Sequence, residues 1–220
     1  MNYKHIIFDL DGTLLDTIPD LLYNLNTTFS ELGLPGKFSA AEMATFLGSG
    51  KDEQIRRALS ARRLSHEKYF AKVNALLSVY YAKNTNTYTE IFPGIKETLA
   101  ELKARGVKLY VATNKPDHVA KDVVRHYFGD NVFIKVRGDK GDGIIKPNPK
   151  ILNAIIKNIN DPLETIMFVG DSYVDYMSAK NAGVKCAIVP HGYDQKVLNI
   201  KDKGVIFLKK VTDIISLDIN

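Results

Sequence analysis

The sequence predicts an α/β fold, a doubly wound parallel sheet with an inserted helical cap domain. Three observations indicate this class. Short apolar runs that end in Gly, Asp, Thr or Asn are typical of buried parallel strands. Stretches with helical spacing separate most of these runs, as expected where crossover helices join parallel strands. Residues 18–84, in contrast, contain helical patterns and no convincing strand.

Six apolar runs are the predicted strands of the sheet. They are residues 5–10, 107–113, 132–136, 165–170, 185–189 and 205–208. The predicted helices between them are residues 95–105, 117–127, 149–158 and 172–182. Gly106 and Gly183 follow two of these helices, at positions where glycine commonly ends a helix.

The inserted segment begins after the first strand. Thr17 and the Pro19 that follows are typical of a helix cap and first turn. Apolar residues then recur at helical spacing up to Gly33, and further helices are predicted at residues 39–46, 52–62 and 66–83. We therefore predict a sheet domain of residues 1–16 and 85–220 and an inserted helical domain of residues 17–84.

Composition and length are those of an ordinary globular protein. The 220 residues are 45 % hydrophobic and 25 % charged, which excludes a disordered chain and allows a buried core. No apolar run approaches the ~20 residues that cross a bilayer, and residues 6–8 are too short a run for a signal peptide. The one cysteine, Cys186, lies in an apolar run and is predicted to be an inert buried thiol. A single cysteine fits a reducing cytosol, so we expect a cytoplasmic protein. We also expect a monomer or small homo-oligomer and no membrane partner.

The net charge of +5 is spread along the chain rather than concentrated in a tail or block. The densest basic stretch, residues 56–63, lies on a predicted helix, and a solvated helix face explains it better than a nucleic-acid site. Because the charge is spread out, we expect no nucleic-acid partner. The excess positive charge would instead attract a small anionic substrate.

Aspartates cluster at two predicted strand ends. Asp9 and Asp11 lie two residues apart, and the strand pleat would turn both carboxylates to the same side. Asp171 lies at the tip of another strand, with Asp175 in the next helical turn. Because ligands bind at the carboxyl ends of strands in open α/β sheets, all four are predicted to converge. Such crowded anions need a cation, and oxygen ligands favour Mg²⁺ over Zn²⁺. The alternative is a plain turn, which Asp11 and Gly12 would indicate if they stood alone.

Two further strand ends carry groups suited to phosphate. Thr113 and Asn114 place a hydroxyl and backbone amides at a predicted helix start, which favours an anion, although Thr113 as a simple helix cap is the alternative. Lys146 precedes Pro147, so its backbone is restricted, and Asn148 is predicted to cap the following helix.

These motifs, in this order, resemble those of the haloacid dehalogenase-like hydrolases. The resemblance covers nearly the whole chain and rests on Asp9-x-Asp11-Gly12-Thr13, Thr113-Asn114, Lys146-Pro147 and Gly170-Asp171 with Asp175. The inserted helices are similar to the small helical cap of that superfamily. Within them, Gly48-Ser49-Gly50 followed by Arg57-Ala58-Leu59 is similar to phosphoglycolate phosphatases.

The resemblance implies the roles of the aspartates. Asp9 would be the nucleophile and form an aspartyl-phosphate. Asp11 would protonate the departing alkoxide and then deprotonate the water that cleaves this intermediate. Mg²⁺ would be held by Asp9, the Asp11 backbone carbonyl and Asp171, with Asp175 supporting the site.

The remaining motifs would bind the substrate. Thr113, Asn114 and Lys146 would contact the transferring phosphoryl oxygens. In the cap, the candidates for reaching the substrate are Gly48, Ser49, Gly50, Lys51 and Arg56, with a plain surface role as the alternative.

The expected activity is hydrolysis of a small phosphorylated metabolite, 2-phosphoglycolate first. Asp11 favours phosphate chemistry because a dehalogenase has no alkoxide to protonate. The alternatives within the superfamily are an inorganic pyrophosphatase, a sugar-phosphate phosphatase or a phosphomutase. A non-catalytic phosphate- or nucleic-acid-binding protein is the alternative from another class.

Overall fold

A six-stranded parallel sheet forms the centre of the molecule. The computed structural model describes residues 3–84 and 86–217. The strands of the sheet are β1 His5–Phe8, β4 Lys108–Pro116, β5 Lys135–Asp139, β6 Ile166–Gly170, β7 Lys185–Ile188 and β8 Ile206–Phe207. Their order is β5-β4-β1-β6-β7-β8, and each neighbouring pair is parallel. The strand order therefore reverses between β1 and β6, which is where doubly wound sheets bind their ligands.

Helices cover both faces of the sheet, as buried parallel strands require. They are α5 Ile95–Ala104, α6 Asp117–Phe128, α7 Lys150–Ile156 and α8 Tyr173–Ala182. Within β1 the side chains alternate: Ile6 and Phe8 pack with α5 and α6, whereas Ile7 packs with α7 and α8. Cys186 is buried in β7 on the second of these faces, and burial raises the pKa of its thiol. The predicted fold class is confirmed.

Four helices follow β1 in the sequence, before the chain returns to the sheet. They are α1 Ile18–Glu31, α2 Ala40–Phe46, α3 Lys51–Ala61 and α4 His66–Lys83. They share an apolar cluster of their own, which includes Leu25, Phe29, Met43 and Leu77. Two short antiparallel strands, β2 Leu15–Asp16 and β3 Glu90–Ile91, join the helices to the sheet.

Two predicted boundaries are wrong, for reasons of tertiary structure. The strand predicted at residues 132–136 is β5, three residues later, because Phe133 packs edge-on against Phe8 and Phe128 before the strand starts. The strand predicted to end at Thr113 is β4, which continues to Pro116, whereas α6 begins at Asp117, where the sequence predicts it. The cap role considered for Thr113 is therefore excluded. Among the described residues, no helix is long and apolar enough to cross a membrane.

Candidate active site

The carboxyl ends of β1, β4 and β6 open into a cavity of about 330 Å³. The sheet forms its floor, with Asp9, Thr113 and Asp171 among the lining residues. The helical segment contributes the opposite wall, which includes Gly48–Lys51 and Tyr81. A molecule in this cavity would contact both parts of the chain.

Three buried carboxylates meet at the floor of the cavity. Asp9, Asp171 and Asp175 each offer an oxygen, and these oxygens all lie within 4.8 Å of one another. The ammonium of Lys146 lies 2.7 Å from Asp9 Oδ1 and 2.6 Å from Asp175 Oδ1. The cluster therefore contains three carboxylates and one ammonium group to balance their charge.

This excess of negative charge shifts the acids toward their protonated forms. Burial is the main cause that raises the pKa of Asp9 to about 7; the charge of Asp175 acts in the same direction, and Lys146 opposes it. Burial, with the charges of Asp175 and Asp9, also raises the pKa of Asp171 well above its usual range. Asp9 Oδ1 is buried and, among the described residues, accepts no hydrogen bond of good geometry. Convergent carboxylate oxygens with unmet charge fit a hard divalent cation such as Mg²⁺.

Asp175 holds the cluster together. Its Oδ2 accepts hydrogen bonds from the Asp171 amide (3.1 Å), the Ser172 amide (3.0 Å) and the Ser172 hydroxyl (2.6 Å). Its Oδ1 accepts one from Lys146. A Cβ at position 170 would lie 2.4 Å from Asp175 Cγ, so only glycine fits there. Because its oxygens are already engaged, Asp175 supports the site, whereas Asp9 and Asp171 are the freer ligands.

Asp171 is oriented by residues from two other segments. Its Oδ1 accepts a hydrogen bond from the Thr13 hydroxyl (3.2 Å), and its Oδ2 accepts one from the Tyr193 amide (2.8 Å). The sequence analysis assigned no role to Thr13 or Tyr193. Gly192 allows the close approach of this segment, because a Cβ there would lie 2.1 Å from that of Asp171.

The Asp11 carboxylate lies apart from this cluster. Of the four carboxylates expected to converge, three meet in the cluster, whereas Asp11 lines the same cavity outside it. Its oxygens instead accept hydrogen bonds from Lys115 Nζ at 2.9 and 3.2 Å. Lys115, which the sequence analysis overlooked, is buried and lines the cavity.

Asn114 connects three parts of the site. Its side-chain amide donates to Gly48 O (2.9 Å) and Lys146 O (3.1 Å), and its Oδ1 accepts from the Lys146 amide (2.7 Å). These bonds hold Lys146 in place and join β4 to the helical segment. Asn114 and Thr113 both line the cavity, but the side-chain amide of Asn114 is already engaged by protein groups.

The structure separates the predicted cap residues into two groups. Gly48, Ser49, Gly50 and Lys51 line the cavity. Arg56 does not, which corrects its prediction as a substrate contact: its guanidinium lies over the ring of Phe70, 4.6 Å from the centroid. The next residue, Arg57, occupies the cavity wall instead. A helical repeat of 3.6 residues turns consecutive side chains to different faces, which explains the difference.

The comparison with known families agrees with this geometry. The haloacid dehalogenase-like hydrolase family matches residues 6–189, which is most of the chain and includes Asp9, Asp171 and Asp175. The chain belongs to the haloacid dehalogenase-like hydrolases. The resemblance of the four motifs is therefore confirmed.

Relatives within the haloacid dehalogenase-like hydrolases indicate which type of reaction this chain catalyses. The chain is 35 % identical over 200 residues to a phosphoglycolate phosphatase of Mannheimia succiniciproducens, covering 87 % of this chain and 88 % of the relative. It is 36 % identical to a phosphoglycolate phosphatase of Vibrio vulnificus, covering 87 % and 85 %. A crystal structure of a predicted phosphoglycolate phosphatase from Haemophilus somnus aligns with a TM-score of 0.88 at 30 % identity, covering 99 % and 98 %. The chain is thus an enzyme, a phosphatase of phosphoric monoesters, rather than the non-catalytic binding protein considered above.

Proposed function

We propose that this phosphatase requires Mg²⁺ and hydrolyses 2-phosphoglycolate to glycolate and phosphate through an aspartyl-phosphate. The observation that carries the proposal is the buried cluster of Asp9, Asp171 and Asp175 at the reversal of strand order, with Lys146 as its one ammonium. The names of the relatives support the choice of substrate.

Asp9 is the proposed nucleophile. It follows β1 directly, and its amide donates to Val169 O (2.8 Å), which fixes its backbone at the cavity floor. An Asp9 oxygen would attack the phosphorus, and the bond from phosphorus to the ester oxygen would break. Lys146 and Thr113 would stabilise the charge on the phosphoryl oxygens. When bound at Asp9 and Asp171, Mg²⁺ would supply further neutralisation of that charge.

Asp11 is the proposed acid and base. It lines the same cavity as Asp9 but is held separately by Lys115, so one carboxyl can attack while the other transfers a proton. Asp11 would give its proton to the departing alkoxide and then take one from water. That water would attack the phosphorus of the aspartyl-phosphate, releasing phosphate and restoring Asp9.

Helices α1–α4 are proposed to act as a cap domain, residues 17–84, over a core of residues 1–16 and 85–220. The cap would exclude water while Gly48–Lys51 contact the leaving group. We further propose a cytoplasmic monomer or small homo-oligomer that acts on a small metabolite, without nucleic-acid or membrane partners.

The decisive experiment compares two carboxamide variants. We expect Asp9→Asn to abolish turnover of 2-phosphoglycolate in Mg²⁺, whereas Asp11→Asn should retain slow phosphorylation of the enzyme, visible as a phosphoprotein in rapid-quench experiments. Steady-state turnover of Asp9→Asn at the wild-type rate would contradict the nucleophile assignment.

A substrate panel tests the rest of the proposal. The wild type should hydrolyse 2-phosphoglycolate faster than pyrophosphate or sugar phosphates, and a chelator should stop the reaction. Comparable rates on many sugar phosphates, or conversion of one phosphosugar isomer to another, would favour the alternative activities.

A further inference from the structure

Lys115 is a buried cation that the catalytic scheme above leaves without a substrate role. It lies near the end of β4, directly after Asn114, and its side chain is only 3 % exposed. The ring of Tyr81 from helix α4 lies over it, with Nζ 5.7 Å from the ring centroid. The sheet and the helical segment thus enclose this ammonium, and it lines the cavity between them.

Its position next to Asp11 limits what it can reach. Lys115 Nζ lies 2.9 Å from Asp11 Oδ1, and Asp11 is the group proposed to protonate the ester oxygen. In a phosphorylated 2-hydroxy acid, two carbon atoms separate this ester oxygen from a carboxylate oxygen. A carboxylate in such a leaving group would therefore lie close to whatever neighbours Asp11.

The ammonium can accept such a partner. Among the described residues, its hydrogen bonds go to the two oxygens of Asp11 alone. A lysine ammonium has three proton donors, so it can bind a second carboxylate while it still holds Asp11.

The other cations that line the cavity are less suited. Lys146 is already paired with Asp9 and Asp175, and Lys196 is exposed to solvent. The guanidinium of Arg57 already donates to Thr45 O, Leu47 O, Ser49 Oγ and Glu53 Oε1. Lys51 Nζ donates to Ser78 Oγ at 2.5 Å, on the wall formed by the helical segment.

We propose that Lys115 determines specificity by binding the carboxylate of a small anionic leaving group, so that the site selects phosphate esters of 2-hydroxy acids. This inference rests on the proposed function and specifies how the substrate is recognised. A neutral leaving group of the same length would leave the ammonium with Asp11 only.

The test compares 2-phosphoglycolate with ethyl phosphate, which has the same length but no carboxylate. The readout is the ratio of kcat/KM for the two esters in Mg²⁺. In Lys115→Met this ratio should fall about 10- to 100-fold, the loss expected for a hydrogen bond between charged groups. Damage to Asp11 positioning lowers both rates and cancels in the ratio.

Two matched variants complete the design. Lys115→Arg keeps the charge and should retain more of the preference than Lys115→Met. Lys196→Met removes another cation that lines the cavity and should leave the ratio within about threefold of wild type. The proposal is overturned if Lys115→Met leaves the ratio unchanged, if Lys196→Met lowers it equally, or if the wild type shows no preference for the carboxylate.

Binding measurements separate this proposal from the proposed function. Calorimetry on Asp9→Asn, with and without Lys115→Met, measures the affinity for each ester in Mg²⁺ without turnover. Loss of 2-phosphoglycolate affinity relative to ethyl phosphate supports the role of Lys115 even if the wild type hydrolyses neither ester, a result that would defeat only the proposed function. Equal loss for both esters overturns the role of Lys115.

Discussion

At the scale of single residues, the site depends on how Lys146 compensates buried acids. Its ammonium contacts both Asp9 and Asp175, and all three side chains are buried. Removing one partner from such a group leaves uncompensated charge away from water, which costs more than the group contributes when it is complete. Lys146 is therefore predicted to matter for stability as well as for binding phosphate.

Lys146→Met should lower the free energy of unfolding by about 3 kcal/mol at pH 8 in the absence of metal. The loss should be smaller at pH 5, where Asp9, whose pKa is about 7, carries a proton. Urea denaturation at both pH values measures this. Lys121→Met, which removes an exposed ion pair with Asp117, is the control and should cost less than about 1 kcal/mol. Equal losses for the two variants would contradict the prediction.

The neighbouring arginines of α3 give a second comparison at this scale. Arg57 donates hydrogen bonds to Leu47 O and Ser49 Oγ in the preceding loop, whereas Arg56 contacts the ring of Phe70. We expect Arg57→Ala to raise KM for 2-phosphoglycolate about tenfold or more, because the cavity wall loses its support. Arg56→Ala should stay within about twofold of the wild type, and the opposite order in steady-state kinetics would show that the assignment is reversed.

At the scale of elements, the connection between the sheet and the helical segment depends on Tyr193. Its hydroxyl donates to Asp16 Oδ1 (2.7 Å) and accepts from the Thr17 amide (2.8 Å), at the junction of β2 and α1. Its own amide donates to Asp171. One residue thus links a proposed metal ligand to the point where the chain leaves the sheet.

Tyr193→Phe removes the hydroxyl and leaves the Thr17 amide without this acceptor. Losing a buried hydrogen bond costs about 1–2 kcal/mol, so the Thr17 amide should exchange its hydrogen about tenfold faster. Hydrogen exchange followed by mass spectrometry of peptides spanning residues 15–20 measures this, and peptides from α5 are the internal control. Unchanged exchange at residues 15–20 would show that Tyr193 does not stabilise the junction.

At the scale of the whole molecule, the buried acids link stability, pH and metal. Folding raises the pKa of Asp9 from 3.8 to about 7, so the folded state binds that proton more tightly than the unfolded state. This contribution to stability is fully present below pH 3.8 and is lost as the pH rises through about 7. If Mg²⁺ binds at Asp9 as proposed, it would compete with the same proton, and a ligand that binds only the folded state stabilises it.

The increase in Tm on adding a fixed concentration of Mg²⁺ should therefore grow from pH 5 to pH 8. Differential scanning calorimetry with and without Mg²⁺ measures it. Asp9→Asn combined with Asp171→Asn is the control, and its Tm should not respond to Mg²⁺. An increase that is the same at pH 5 and pH 8 would contradict the linkage.

Much of the fold and of the site could be predicted from the sequence, because the signals were local. Apolar runs marked the strands, and Asp9, Lys146 and Asp171 each lay in a short motif at a strand end. The separation of the Asp11 carboxylate from the other three was not predicted, because Asp11 is held by Lys115, 104 positions away. Tyr193 was missed for the same reason, since its contacts with Asp16 and Asp171 join segments distant in sequence.

Cys186 provides a chemical reporter within the sheet. It is the chain's only cysteine, and it is buried in β7, which pairs with β6 beside the site. A thiol-specific reagent can reach it only when the sheet and the helices packed on this face open, so the labelling rate measures that opening. Substrate, metal and variants can then be ranked by how much they slow modification of one atom, without any added probe.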